Sequence, residues 1–282
     1  HSVDRRQRQM CIRDCNWATR QGMSQGAGDA SILSSTMPTP TIGDIIEANA
    51  ALRRLQVNDV PICIRSIPLE DLTLVVFADA SLGNAKGGHA QIGHIIGATS
   101  HKIRQGVEAE VSVLIHKSHR NTRAGASTLL NEATGMSEAL ADAEWIASWF
   151  GLCKSLDYDL LKRDILNREI KITSLTSGHE DTEFDIYSIT DAKSLYDNLV
   201  RDQYTGAEKR AALEACVIKD SLDALGGKAR WVPHQRNPAD CLSKLKGNVE
   251  PLLQLLKKGT YQLTDEEDEL ARRAYYLSLI HI

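Results

Sequence analysis

The period of the apolar positions changes along the chain, and each change marks an element. Ile45, Ala48, Leu52 and Leu55 recur at spacings of three and four, one face of a helix, and Thr41 with Asp44 gives a capping-box pattern ahead of them. This predicts one helix with loops around it across residues 15–68. From Leu72 to Ala78 the chain is almost continuously apolar and rich in β-branched residues, as a central strand covered on both faces should be. NAKGG then supplies a turn, and GHAQIGHIIGA and EVSVLIH read as two further strands of an antiparallel meander. A helical period returns in ASTLLNEATGMSEALADAEWIASWF, whose stripe is Leu129, Ala133, Met136, Leu140, Ala143 and Ala147. The irregular, charged stretch 153–183 is long enough to be an insertion. Beyond it the pattern predicts a strand at FDIYSIT, helices over Ala192–Val200 and Ala207–Leu225, a strand over Ala229–Val232 and a final short helix. The order β-β-β-α-β-α-α-β-α implies a mixed sheet with helices against it.

Composition narrows the function classes. With 282 residues, 42% apolar and 25% charged, the chain is an ordinary globular one able to bury a sizeable core. A net charge of -4 argues against a basic nucleic-acid coat, so any contact with phosphates must be local or carried by metal ions. The cysteines at 11, 15, 63, 153, 216 and 241 include no second pair at zinc spacing, which fits a reduced intracellular chain. No apolar run of about 18 residues is present to span a bilayer, and HSVDRRQRQ lacks the apolar core of a secretory signal. A soluble protein is expected. The opening RRQRQMCIRD and closing LSLIHI resemble translated adapter read-through, so residues 1–14 and the last six are set aside as non-native.

Four carboxylates carry the candidate chemistry: Asp79 in LTLVVFADAS, Glu132 in STLLNEATGMSEAL, Asp191 in IYSITDAKSL and Asp240 in NPADCLSK. Anions at the ends of buried strands and on a helix's core-facing edge repel one another and lose hydration unless a cation sits between them. At about 100 degrees per residue Glu132 falls about 60 degrees from the centre of the long helix's stripe, whereas Glu138 falls opposite and should face water. Glu144 is on the stripe's edge but about 18 Å further along the axis, too far to share a site with Glu132. Asp191 and Asp240 also suit helix starts, where capping or the helix dipole would explain them. Asp79, closing an apolar run, has no such local account.

In their order these segments resemble the ribonuclease H domain at the end of the Pol polyprotein of copia-type LTR retrotransposons. FADAS looks like that family's first-strand motif, STLLNEATGMSEAL its helix motif, TDAKSLYD its third, and WVPHQRNPADCLSK its closing one. The resemblance covers about residues 70–246, with Leu130 and Asn131 departing from the small or acidic residues common there. Upstream, residues 15–68 look like the tail joining a reverse transcriptase to its ribonuclease H, and the polymerase's own paired aspartates are absent. The implied fold is α/β and RNase H-like: a mixed five-stranded sheet, three antiparallel strands then two parallel, flanked by helices. It would occupy 69–250, followed by a helical tail at 251–282.

The implied activity is hydrolysis of the RNA strand of RNA/DNA hybrids by a two-metal-ion mechanism. The resemblance carries the catalytic and metal-binding quartet onto Asp79, Glu132, Asp191 and Asp240, with Asp79 shared between two Mg2+ ions, or Mn2+ in their place. Glu132 and Asp191 would serve the leaving side and Asp240 the nucleophile side. His234, six residues before Asp240, matches a His that helps product or proton leave. Lys117, Arg120 and Arg123, in the basic loop HKSHRNTRAG, would hold the hybrid's phosphates without reading sequence. His116 and His119 in that loop lack the nearby Cys or Asp a zinc site needs. The expected partners are the hybrid and the reverse transcriptase portion of the same polyprotein, in an intracellular particle or the nucleus, away from membranes. The alternative of a different class is a metal-free connection or hybrid-binding module on the same fold. An integrase-like core is disfavoured, because such cores commonly use three acids and the Asn-Pro-Ala-Asp ending matches ribonuclease H better.

Overall fold

A computed structural model describes residues 5–154, 159, 161–162, 186–201, 204, 208–266 and 268–271, apart from the single positions 38, 86 and 124. The expected insertion at 153–183 lies almost wholly outside the described residues. Strands β1 (Leu72–Ala85), β2 (His89–Ser100) and β3 (Ala109–Arg120) form the antiparallel meander, and β4 (Ile186–Thr190) and β5 (Lys228–Trp231) extend the sheet parallel to β1. The expected mixed sheet is therefore present, with one addition. Strand β6 (Thr260–Tyr261) pairs with Ala109 and Glu110 of β3, giving six strands in the order β5-β4-β1-β2-β3-β6. Two residues carry no periodicity, so the pattern could not announce this strand. The tail expected to be helical starts with a helix over Glu250–Lys258, but Gly259 in the left-handed conformation ends it and β6 follows.

Strand β1 reads as continuously apolar because both of its faces are covered. Leu74, Val76 and Ala78 pack with Ala133, Met136, Leu140 and Ala143 of the long helix Thr128–Lys154, and with Ile218 and Leu222 of the helix Lys209–Ala224. Val75 and Phe77 point the other way, into a cluster with Val232, Leu242, Leu252, Leu255 and Tyr261. Each of the larger side chains, Val, Leu, Ile, Met and Phe, contributes roughly 1.5–3 kcal/mol by leaving water.

Among the described residues the α-helices include α1 (Arg5–Arg20), α2 (Ala27–Ser34), α3 (Ile42–Val57), α4 (Thr128–Lys154), α5 (Lys193–Val200), α6 (Lys209–Ala224) and α7 (Glu250–Lys258). Where the pattern predicts one helix ahead of the sheet there are three, with Ile12, Cys15, Ala30, Leu33, Ala48 and Ala51 packed together. The expected boundary at residue 14 falls inside α1, and Ile12 is fully buried. α2 escapes a periodicity reading because AGDASILS is short and buried on nearly all sides. α3 starts as expected: Thr41 Oγ1 accepts the Asp44 N–H at 3.2 Å and Asp44 Oδ2 accepts the Thr41 N–H at 2.6 Å. No described helix is long and apolar enough to cross a membrane.

Candidate active site

Pairing of β1 with β4 ends at Phe77 opposite Ile189, whereas pairing with β2 continues to Ser81 opposite Gln91. Asp79 thus lies inside a strand rather than at its end, as the sequence suggested, at the place where β4 stops and one flank of β1 opens. β3, β4 and β5 run in the same direction as β1, so their carboxyl ends share this edge. Asp191 follows β4 directly, and Asp240 comes after β5 through a loop and opens a three-residue 3-10 turn. In α/β sheets, the crevice outside the carboxyl ends of strands where the topology switches is where ligands collect.

One carboxylate oxygen from each of Asp79, Asp191 and Asp240 lies within 4.8 Å of the other two. Glu132 comes alongside from α4. Its Oε2 accepts the Ala80 N–H at 3.1 Å, next in the chain to Asp79. Ser127 Oγ accepts the Leu130 N–H at 3.1 Å and sets the start of α4, which places Glu132 in the first turns, at the sheet's open edge. Asp79, Glu132 and Asp240 are buried, and Asp191 is half-buried.

The electrostatics are those of anions forced together. Burial first, then the charge of Asp191, pushes Asp79 up to about 8 from the ordinary 3.8, against Lys244 and a hydrogen bond from Ser243. Glu132 is raised well above its ordinary value by burial and then by Asp79 and Asp191. Burial raises Asp191 too, opposed by a hydrogen bond from Asn237. The counter-charge within the cluster is Lys244, whose ammonium bonds Asp240 Oδ1 and stands 3.5 Å from Asp79 Oδ2. Burial disfavours that ammonium, but Asp79 and then Asp240 outweigh it and hold the lysine above its usual value.

Capping does not explain these acids. Ala192 is the N-cap of α5 and has no side-chain cap bond, while Asp191 Oδ1 accepts from Asn237 Nδ2 at 3.2 Å. The turn at Asp240 is capped by Ala239, again without a side-chain bond. Asn237, Ser243 and Lys244 are site residues that the sequence reading did not assign. All three sit in the closing motif NPADCLSK or just before its aspartate, which was the available signal. Asn237 is fully buried and also donates to the Ala78 carbonyl at 3.0 Å, tying β1 to β4's end. Ser243 Oγ donates to Asp79 Oδ2. Gly93, paired with Asp79 across the ladder, leaves room for this loop, since a Cβ there would stand 2.4 Å from Leu242 Cβ.

The other expected residues are placed differently. His234 is exposed on its own 3-10 turn, and no hydrogen bond links it to the carboxylates among the described residues. The expected basic loop is largely strand: Lys117 and Arg120 belong to β3, and only Arg123 lies in the connection to α4. Lys117 is committed to Asp142 at 2.6 Å and Arg123 to Glu214 of α6 at 2.9 Å. Arg120, at the end of β3, is exposed and has no ion pair among the described residues. Glu138, expected to face water, pairs with His119 at 3.0 Å, and that bond raises the imidazole's pKa. His116 Nε2 lies 2.9 Å from the Thr19 carbonyl oxygen, so the chain itself occupies both histidines.

An all-oxygen donor set gathered from separate chain segments, with raised carboxyl pKa values, fits a hard divalent cation. Removal of the mutual repulsion is what such a cation would supply.

No family model and no curated protein matches the chain. Among solved structures it is similar to RNase H1 from the archaeon Halobacterium salinarum, at 14% identity and a TM-score of 0.37, over 61% of this chain and 94% of that one. It is also similar to the N-terminal RNase H domain of a Mycobacterium tuberculosis protein, at 14% identity and a TM-score of 0.36, covering 66% of this chain and 97% of that one. A foamy viral protease-reverse transcriptase, solved with an RNA/DNA hybrid, aligns at 10% identity and a TM-score of 0.36 over 73% of this chain and 26% of that one. At these values the likeness bears no weight for activity, which has to rest on the site's own geometry.

Proposed function

We propose that the chain is a metal-dependent endonuclease that hydrolyses the RNA strand of RNA/DNA hybrids during retrotransposon reverse transcription. The observation that carries this reading is the convergence of Asp79, Asp191 and Asp240 within 4.8 Å, with Glu132 beside them. Those acids would hold two divalent ions, which when bound activate a water and stabilise the leaving oxygen. The chain's own residues do the rest. Asn237 orients Asp191, Ser243 orients Asp79, and burial keeps bulk water from screening the cluster. Arg120, on the same sheet edge, would take a phosphate of the hybrid, and Arg123 and Lys117 would do so by exchanging their carboxylate partners. His234, being exposed, is free to meet the departing product. The retrotransposon setting, the reverse transcriptase partner and an intracellular location rest on the motif resemblance.

A second reading, hybrid binding without cleavage, draws on Lys244, whose ammonium already lies against Asp240 and near Asp79. A labelled RNA/DNA hybrid incubated with the purified chain and Mg2+ separates the two. Cleavage of the RNA strand that disappears in Asp79→Asn supports the nuclease. Binding without cleavage supports the second reading, and cleavage of duplex DNA defeats both.

A further inference from the structure

The loop that carries Asp240, Ser243 and Lys244 is gripped by the helices ahead of the sheet. A Cβ on Gly28 of α2 would stand 2.2 Å from the Cys241 carbonyl oxygen, so α2 seats directly on this turn. Asp29 Oδ1, next in the chain, accepts the Lys246 N–H at 2.8 Å. Lys246 has a φ of 57°, the left-handed region, and no other described non-glycine residue has a positive φ. That conformation costs roughly 1–2 kcal/mol and persists only where the surroundings hold it. Asp29 is held in turn: Arg54 Nε and Nη2 donate to its Oδ2 at 3.2 and 2.6 Å. Arg54 also bonds Glu47 at 2.9 Å, and Glu47 pairs with the Lys246 ammonium at 2.6 Å, closing a ring of two acids and two bases. From the sheet side, Ser118 Oγ donates to the Leu242 carbonyl at 2.5 Å and Ser81 Oγ to that of Ser243.

We propose that Asp29, backed by Arg54, is a positioning residue that fixes the 240–247 loop so that Asp240, Ser243 and Lys244 reach Asp79. Residues 15–68 are then a working part of the site and not a passive connector. The proposal rests on the reading of the acids as a divalent-ion site.

The test uses the full chain and two readouts: hydrogen–deuterium exchange of the 240–247 peptide, and Mn2+ binding followed by electron paramagnetic resonance. Asp29→Ala should speed exchange across 240–247 while leaving β1 and β2 unchanged, and should weaken Mn2+ binding about tenfold, as loss of an outer support does at metal sites. Arg54→Gln, at the more exposed side of the ring, should repeat both shifts at smaller size if Asp29→Ala folds poorly. Asp240→Asn should abolish binding outright. Unchanged loop exchange in Asp29→Ala overturns the clamp. Wild-type Mn2+ affinity in Asp29→Ala, with binding lost in Asp240→Asn, overturns its positioning role. Equal Mn2+ binding by the wild type and Asp240→Asn defeats the ion-site reading beneath it, and that pair alone identifies this failure.

Discussion

Asp79→Asn should stabilise the metal-free protein at neutral pH while ending the proposed activity. The folded chain holds a proton at Asp79 up to about 8, whereas the ordinary carboxyl gives it up near 3.8. A raised folded-state pKa means that this group's contribution is fully present below the unfolded value and is lost as pH rises through the folded one. At about 1.4 kcal/mol per pH unit, the loss by pH 7 is on the order of 4 kcal/mol. Burial is the largest part of that cost and the charges of Asp191 and Asp240 add to it, so removing the ionisable group recovers roughly 2–4 kcal/mol. Asparagine has the same shape, cannot ionise, and still offers an oxygen to Ser243. Urea unfolding in a chelator should therefore show the variant more stable by roughly 2–4 kcal/mol at pH 7, with the gap closing near pH 4. Added Mg2+ should raise the wild type and leave the variant nearly unmoved. A variant no more stable than the wild type at pH 7, or a gap that ignores pH, would refute the argument that burial, reinforced by the neighbouring acids, holds this carboxyl's pKa up.

Other substitutions probe separate links. Lys244→Met should destabilise the metal-free chain by roughly 1–2 kcal/mol, since its partly exposed ammonium is screened, with Mg2+ restoring most of the loss in thermal melts. Arg120→Ala should lower the salt slope of hybrid binding by about 1, measured by fluorescence anisotropy across a KCl series, whereas Lys117→Ala should change it less because Asp142 already holds that charge. Thr41→Ala removes one half of the α3 capping box and should cost about 1 kcal/mol in chemical denaturation.

Much of the sheet was legible because its signals are local. The run Leu72–Ala78 announced a strand covered on both faces, and GHAQIGHIIGA with EVSVLIH announced its antiparallel neighbours. Asp79, Glu132, Asp191 and Asp240 could be singled out because acids beside buried elements are costly, and the chain brings them to one edge. What stayed hidden depends on partners distant in sequence. Strand β1 continues past Asp79 because β2 pairs with it to Ser81, a fact of register and not of composition. The basic stretch reads as a loop until β2 gives Lys117 and Arg120 a ladder to join. α2 is buried on nearly all sides by α1, β3, α3 and the Asp240 turn, so no amphipathic stripe marks it.

The charge of the cluster bears on how many ions the proposed site would take. Four carboxylates and the Lys244 ammonium sum to -3 when all are ionised (-4 + 1). One divalent ion would leave -1, which repels the phosphodiester that has to enter. Two would bring the pocket to +1, which one phosphodiester then neutralises. In so buried a place an unbalanced charge is expensive, so the loaded site should favour the pair together with substrate over either alone. Mn2+ titrations should therefore show a second, weaker binding event that tightens when hybrid is added. Lys244→Met, which lowers the sum by one, should strengthen the second event and weaken the hybrid's effect on it. If the second event ignores the hybrid, the cluster's charge is being balanced elsewhere, and the Lys244 ammonium is not its main counterweight.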